Sequence, residues 1–239
     1  MKYSHFFSCI QNECIQEFFG DVEMLEFNKH LNKFIVNKWF SKGESFIHPT
    51  AEISENSIIE GLVYIGPRVK IQPFSYIKGP AVILNDTLIG KSAFIRDNCI
   101  IGNNCLIGHS SEIARTILVG NTTLSHIVGI SDSIIGSNVN FGAFSSATTH
   151  LLKGKQNKIV MSDGSNKSIE NKLGSIIGDY TQIGAYVQLN PGVIMEPNCI
   201  VYPQISVSTN YYKNNMKIYI NGFKKSVKTK RIIQEEQNV

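Results

Sequence analysis

The chain has 239 residues, 42% hydrophobic and 18% charged, with 23 Lys and Arg against 19 Asp and Glu and a net charge of +4. This composition supplies a substantial core for one or two domains, and its charge is too mild to imply nucleic acid across the whole surface. No apolar run is long enough to cross a membrane, the N-terminus MKYSHFFSCIQNECIQEFF lacks the pattern of a signal peptide, and five cysteines without a CxxC pair suit reduced thiols in the cytoplasm.

Residues 1–45 lack any six-residue pattern. The stretch QNECIQEFFGDVEMLEFNKHLNKFIVNKWF reads as one or two short helices broken at Gly20, expected to cap the coils that follow. From Ile47 onward an aliphatic residue recurs every six positions without a gap: Ile53, Ile59, Ile65, Ile71, Ile77, Ile83, Ile89, Ile95, Ile101, Ile107 and Ile113, with Val119 continuing the row. A helix of 3.6 residues per turn cannot keep such a row on one face, and a flat strand alternates every two residues. The period fits a triangular coil with one short strand per side. The fold class is therefore all-β: a left-handed parallel β-helix of hexapeptide repeats over 46–208, with a short helical N-terminal segment and a C-terminal tail.

The neighbours of the row agree. Two positions earlier the residue is small, as in Ser57, Ala81, Thr87, Cys99, Cys105 and Ser111, which lets coils stack at about 4.8 Å. Cys99, Cys105 and Cys199 occupy this inward slot and read as core. One position later is often glycine (Gly66, Gly90, Gly102, Gly108, Gly136, Gly178, Gly184), expected to take corners with positive φ.

Two interruptions mark the expected functional end. Within 120–134, GNTTLSHIVGISDSI, the phase slips by four residues around His126. Residues 148–172, TTHLLKGKQNKIVMSDGSNKSIENK, form a long polar excursion before the row resumes at Ile177; loops of this length in compact folds are usually functional or disordered. The excursion is placed about one coil from His126. Residues 209–239 read as an aromatic segment, NYYKNNMKIYI, and a basic tail with Lys224, Lys225, Lys228, Lys230 and Arg231, either solvated or facing an anionic partner.

The segments GHSSEIARTILVGNTTLSHIVGISDSIIGSNVNFGA and NKLGSIIGDYTQIGAYVQLNPGVIMEPN carry a family likeness. The chain resembles the hexapeptide-repeat acyltransferases, and within them the C-terminal acetyltransferase domain of bifunctional enzymes that make UDP-N-acetylglucosamine. The spacing HxxxxxDxxIGxNVNxGA from His126 to Ala143 is the specific part. The resemblance implies a homotrimer and acetyl-coenzyme A as co-substrate. It gives His126 as general base, since an ammonium must lose a proton before its nitrogen attacks a thioester. It places Arg96 and Lys172 on the sugar phosphate, Asn140 in the NxGA turn, the Ala143 N–H on the oxyanion, and coenzyme A along the coils near Ala185. The nucleotidyltransferase half of those enzymes has no counterpart in the forty-five residues before the coils.

Departures fall on the substrate shell. Ala114, with Arg115 beside it, replaces a second phosphate-binding lysine. Gly129 replaces a tyrosine, Phe144 the second glycine of the turn, and Thr149 an asparagine that contacts the sugar, with His150 following as a further candidate. His109 reads as surface or interface. No three-histidine spacing is evident, so no catalytic metal is expected. Two classes of function stay open. One is a coenzyme A-dependent acyltransferase acting on an amino sugar or sugar phosphate such as glucosamine 1-phosphate. The other is a non-catalytic β-helix that binds a nucleotide sugar or serves an assembly. No membrane partner is expected.

Overall fold

A computed structural model describes residues 1–150, 157–220 and 227–231. Twenty-six short parallel strands wind into about nine coils of triangular section, the parallel β-helix expected from the repeat. Three faces run along the prism. Face A starts at Phe46–Ile47, face B at Glu52–Ile53 and face C at Ile58–Glu60; each strand pairs with its counterpart one coil later, as Ile47 with Ile65 and Ile53 with Ile71. The repeated isoleucines fill the interior: Ile65, Ile83, Ile101, Ile77, Ile95 and Ile113 are fully buried in one column. The small slot before each also faces inward. Several of its hydroxyls donate to carbonyls of the next coil, as Thr87 Oγ1 to Gly102 O at 2.9 Å and Thr122 Oγ1 to Gly136 O at 2.8 Å, while those of Ser175 and Thr181 have no partner among the described residues.

The phase slip has a simple origin. The row runs Ile113, Leu118, Leu124, Ile130, Ile135, Phe141, so the chain drops one residue at each of two successive turns from face C to face A. Two single deletions give the apparent slip of four. Val119 therefore leaves the row: Leu118 points inward, and Val119 is buried on the outside of the prism.

The glycines after the row do not serve by positive φ. The left-handed corners are held by non-glycine residues three positions after the row, including Arg68, Asp86, Asn104, Asn121 and Asn138 between faces A and B. The glycines serve close approach: a Cβ on Gly102 would lie 2.2 Å from Val119 O.

Residues 1–40 do not cap the first coil. Helices α1 (Glu13–Asp21) and α2 (Phe27–Trp39) lie along the outer side of face A, where Phe6, Phe18, Phe27, Leu31 and Ile35 share an apolar layer with Val82, Ile100, Ile117, Ile134, Ile176 and Ile194. Each outward aliphatic on face A is fully buried, about 1.5–3 kcal/mol apiece, and this draws the segment to the side of the prism. The first coil stays open, with Ile47 48% exposed. Two buried carboxylates fasten the segment. Asp179 accepts from Ser8 N (2.7 Å), Cys9 N (3.1 Å) and Ser137 N (2.7 Å); Glu196 accepts from Tyr211 OH (2.6 Å) and Asn214 N (2.8 Å) and pairs with His5 at 2.8 Å.

The coils pass residue 208. Tyr211–Tyr212 and Met216–Ile220 add a further turn, and Val227–Arg231 pairs antiparallel with Met216–Ile220. The basic run thus includes a strand, while Lys224 and Lys225 lie outside the described residues. No helix among the described residues is long and apolar enough to cross a membrane.

Candidate active site

Each turn from face B to face C passes a corner, and the corners stack through backbone hydrogen bonds. Ser110 N donates to Lys91 O, Ile127 N to His109 O and Phe144 N to His126 O, each at 3.0 Å; Tyr186 N donates to Ala143 O and Gln204 N to Ala185 O at 2.9 Å. Lys91, His109, His126, Ala143 and Ala185 therefore form one column along the edge between faces B and C. The structure brings together three of the expected site residues, His126, Ala143 and Ala185. Asn140 stands beside them on face B, opposite Thr123 of the coil below.

His126 and His109 are both exposed, with ring centroids 4.5 Å apart and planes inclined by 34°. The pairing follows from the sequence: Gly108 and Ser125 precede the two histidines, and a Cβ on Gly108 would lie 1.3 Å from Ser125 O. Only glycine lets the two coils close at this point. Among the described residues neither imidazole donates or accepts a hydrogen bond, and the Ala143 N–H has no acceptor. The edge therefore offers a free imidazole and, one coil away, a free backbone donor.

Above His126 the corner is apolar. Ile127, Phe144 and Tyr186 hold φ of 53°, 60° and 57° and are 43%, 48% and 57% exposed; the Phe144 and Tyr186 rings stack at 4.8 Å. Bulky residues are rare in this conformation, and the corner between faces A and B fills it mostly with Asn and Asp.

The other expected residues lie at the corner between faces C and A, across the width of face C, roughly 15 Å for about five residues of strand. Arg96 pairs there with Glu112 at 2.9 Å. Arg115 is held by Asp132 through two hydrogen bonds of 2.7 and 2.9 Å, and Asp132 is 3% exposed. Thr149 and His150 follow the face C strand Ser146–Ala147, and Lys172 precedes face A. The excursion 148–172 leaves from this corner too. Residues 151–156 lie outside the described residues. The hairpin of Asn157–Val160 with Asn166–Ile169 folds onto face A, burying Ile159 and Ile169 in the layer beneath the helices. Lys167 pairs with Glu23 at 2.7 Å, and Asn28 donates to Lys172 O at 3.1 Å. The hairpin thus extends the cover of face A, on the side away from His126. The expectation that both interruptions meet at one site is corrected for the described part: the apolar outer surface of face A attracts the hairpin. No group of three potential metal ligands occurs among the described residues.

From sequence, His109 reads as surface or interface. The signal available was its seventeen-residue spacing from His126, one shortened coil.

No curated protein matches. Among solved structures, perosamine N-acetyltransferase from Caulobacter crescentus, crystallised with CoA and GDP-perosamine, is 22% identical, with a TM-score of 0.40 over 41% of this chain; the match spans 47% of that protein, about half its length. A UDP-N-acetylglucosamine acyltransferase from Bacteroides fragilis is 16% identical, with a TM-score of 0.37 over 77% of this chain and 74% of its own. One from Campylobacter jejuni is 15% identical, with a TM-score of 0.34 over 77% and 74%. The profile of the GMPPB C-terminal domain matches residues 41–102 and 77–233, which takes in all nine coils. The chain belongs to the GMPPB C-terminal domain family, a β-helix of hexapeptide repeats.

Proposed function

We propose that this protein is a coenzyme A-dependent acyltransferase whose acceptor is an amino sugar or sugar phosphate, glucosamine 1-phosphate being the simplest candidate. The observation that carries this reading is the column of His126, Ala143 and Ala185 on one edge, bonded coil to coil. Acyl-coenzyme A, when bound, supplies an activated thioester, acetyl in the simplest case. The edge suits such a molecule: the small residues at 142, 143, 184 and 185 leave backbone accessible, and Ile127, Phe144 and Tyr186 provide an apolar wall for its arm.

His126 accepts the proton that the acceptor ammonium must lose before its nitrogen can attack. The Ala143 N–H, free of any acceptor among the described residues, is placed to donate to the negative charge that develops on the carbonyl oxygen. Asn140 opens the NxGA turn on face B, beside this edge. The proton held on His126 then passes to the departing thiolate. Arg96, Lys172, Thr149 and His150 stand at the corner between faces C and A and do not reach this site within one chain; the homotrimer implied by the resemblance is the proposed working unit, with the cytoplasm as its location. The separation of Arg96 and Lys172 from His126 favours the second reading, a non-catalytic β-helix that binds a nucleotide sugar.

Thiol release from acetyl-coenzyme A with glucosamine 1-phosphate tests the reading. His126→Ala is expected to lower the rate about 10²–10⁴-fold, the usual contribution of a general base. Full activity in that variant removes the general-base role. Absence of coenzyme A binding in calorimetry favours the non-catalytic reading.

A further inference from the structure

The edge between faces B and C changes character at His126. Toward the C-terminal coils it carries Ile127, Phe144 and Tyr186, with Gln204 beyond them; toward the N-terminal coils it carries His109 and Lys91, with Phe74 and Glu55 further down. Lys91 lies one coil below His109, which lies one coil below His126, and all three side chains are exposed. At about 4.8 Å per coil, the three span roughly 10 Å. Lys91 has no carboxylate partner among the described residues; its ammonium rests over the Phe74 ring at 5.5 Å. Glu112, on the neighbouring face C, is taken by Arg96. Arg115 is taken by Asp132. Lys91 is thus an uncommitted cation on the same edge as His126.

We infer that the phosphate of the acceptor is gripped on the same chain by Lys91 and His109, in place of the Arg96 and Lys172 to which the family resemblance would give it; this rests on the acyltransferase reading. The ammonium offers three donors and the imidazole an N–H, both suited to phosphate oxygens. In a 2-amino sugar 1-phosphate the amine and the phosphate sit on adjacent carbons. Their separation is comparable with one coil spacing, about 4.8 Å. An acceptor with its amine at His126 thus presents its phosphate to His109 and to the flexible Lys91 side chain below. The acceptor then occupies the N-terminal side of His126, and the apolar side is left to the thioester arm.

Calorimetric titration of the full-length protein with glucosamine 1-phosphate, glucosamine and coenzyme A tests this. Lys91→Ala and His109→Gln are each expected to weaken glucosamine 1-phosphate about 10- to 100-fold, the range of a hydrogen bond to a charged group. Glucosamine and coenzyme A should bind these variants as they bind the wild type, Lys91→Arg should restore the phosphate, and Arg96→Ala should leave it unchanged. Loss in Arg96→Ala with none in Lys91→Ala overturns the assignment, as does an equal loss of coenzyme A in Lys91→Ala. Failure of the wild type to prefer the phosphorylated sugar also overturns it. If the wild type binds glucosamine 1-phosphate through Lys91 but not coenzyme A, the acyltransferase reading falls and the anion site stands.

Discussion

Gly108 and Gly129 lie in successive coils on either side of the His109–His126 pair, and the structure separates them sharply. A Cβ on Gly108 would stand 1.3 Å from Ser125 O and 2.3 Å from Ser125 C, backbone atoms that cannot swing aside. An ordinary C···O contact is about 3.3–3.6 Å, so Gly108→Ala must open the two coils locally by roughly 2 Å. The bond from Gly108 N to Leu124 O (2.7 Å) would break, and that from Ser125 N to Phe141 O (3.0 Å) would be strained. Each unmet buried group costs about 1–3 kcal/mol and the overpacking a further 1–3 kcal/mol. The two unmet groups and the overpacking together come to about 3–9 kcal/mol, which lowers Tm by roughly 6–36 °C for a domain of this size. On Gly129 a Cβ meets nothing within 4 Å, so Gly129→Ala should change stability by less than about 1 kcal/mol. Thermal unfolding followed by far-ultraviolet circular dichroism measures both. A Gly108→Ala variant melting within about 2 °C of wild type, or equal losses from the two substitutions, would refute the close-approach argument.

Acid should loosen the N-terminal segment through Glu196. Burial pushes its carboxyl up, but Tyr211, the Asn214 N–H and His5 outweigh this and hold it below the usual glutamate range. A depressed carboxyl contributes stability above the unfolded value of about 4.3, and that contribution is lost as pH falls through the lower folded value. Glu196→Gln should therefore lose Tm at neutral pH and converge on wild type under strong acid; a constant gap across the titration would count against the carboxylate role. Among the five cysteines, burial pushes the Cys99 and Cys105 thiols up to about 12 and Cys199 up to about 11, so none of the three should react with an aromatic disulfide reagent in the native protein. Cys9 and Cys14 are half-buried, and burial raises the Cys14 thiol as well, so one fast and one slower thiol followed by three after denaturation is the expected count. A third thiol reacting before denaturation would mean that the column opens in solution.

Much of this fold is legible in the residues themselves. The six-residue row and the small residue two before it set the coil, the inward faces and the core cysteines, because an inward side chain in a narrow prism must match the available volume. Face A could also have been read. Its strands carry a second aliphatic between the inward pair, as in Ala81-Val82-Ile83, Cys99-Ile100-Ile101 and Ser175-Ile176-Ile177, whereas face B mixes Leu88, Leu106 and Ile200 with Lys70, Thr123, Asn140 and Gln182 at that place. This doubling marks a face that will be covered, and residues 1–40 and the hairpin cover it.

The placement of the site is another matter. A shift of four in a six-residue period equals two single deletions, and periodicity cannot say at which corners they fall. That choice sends Val119 outward. Likewise, Arg96 and Lys172 look like neighbours of His126 when counted in coils, yet a prism has three edges and they stand on a different one. The sequence alone determined that there is a column of coils and which side chains fill it. Tertiary structure decided which exposed residues share an edge, because in a β-helix contact depends on the angle around the axis as well as on the distance along it.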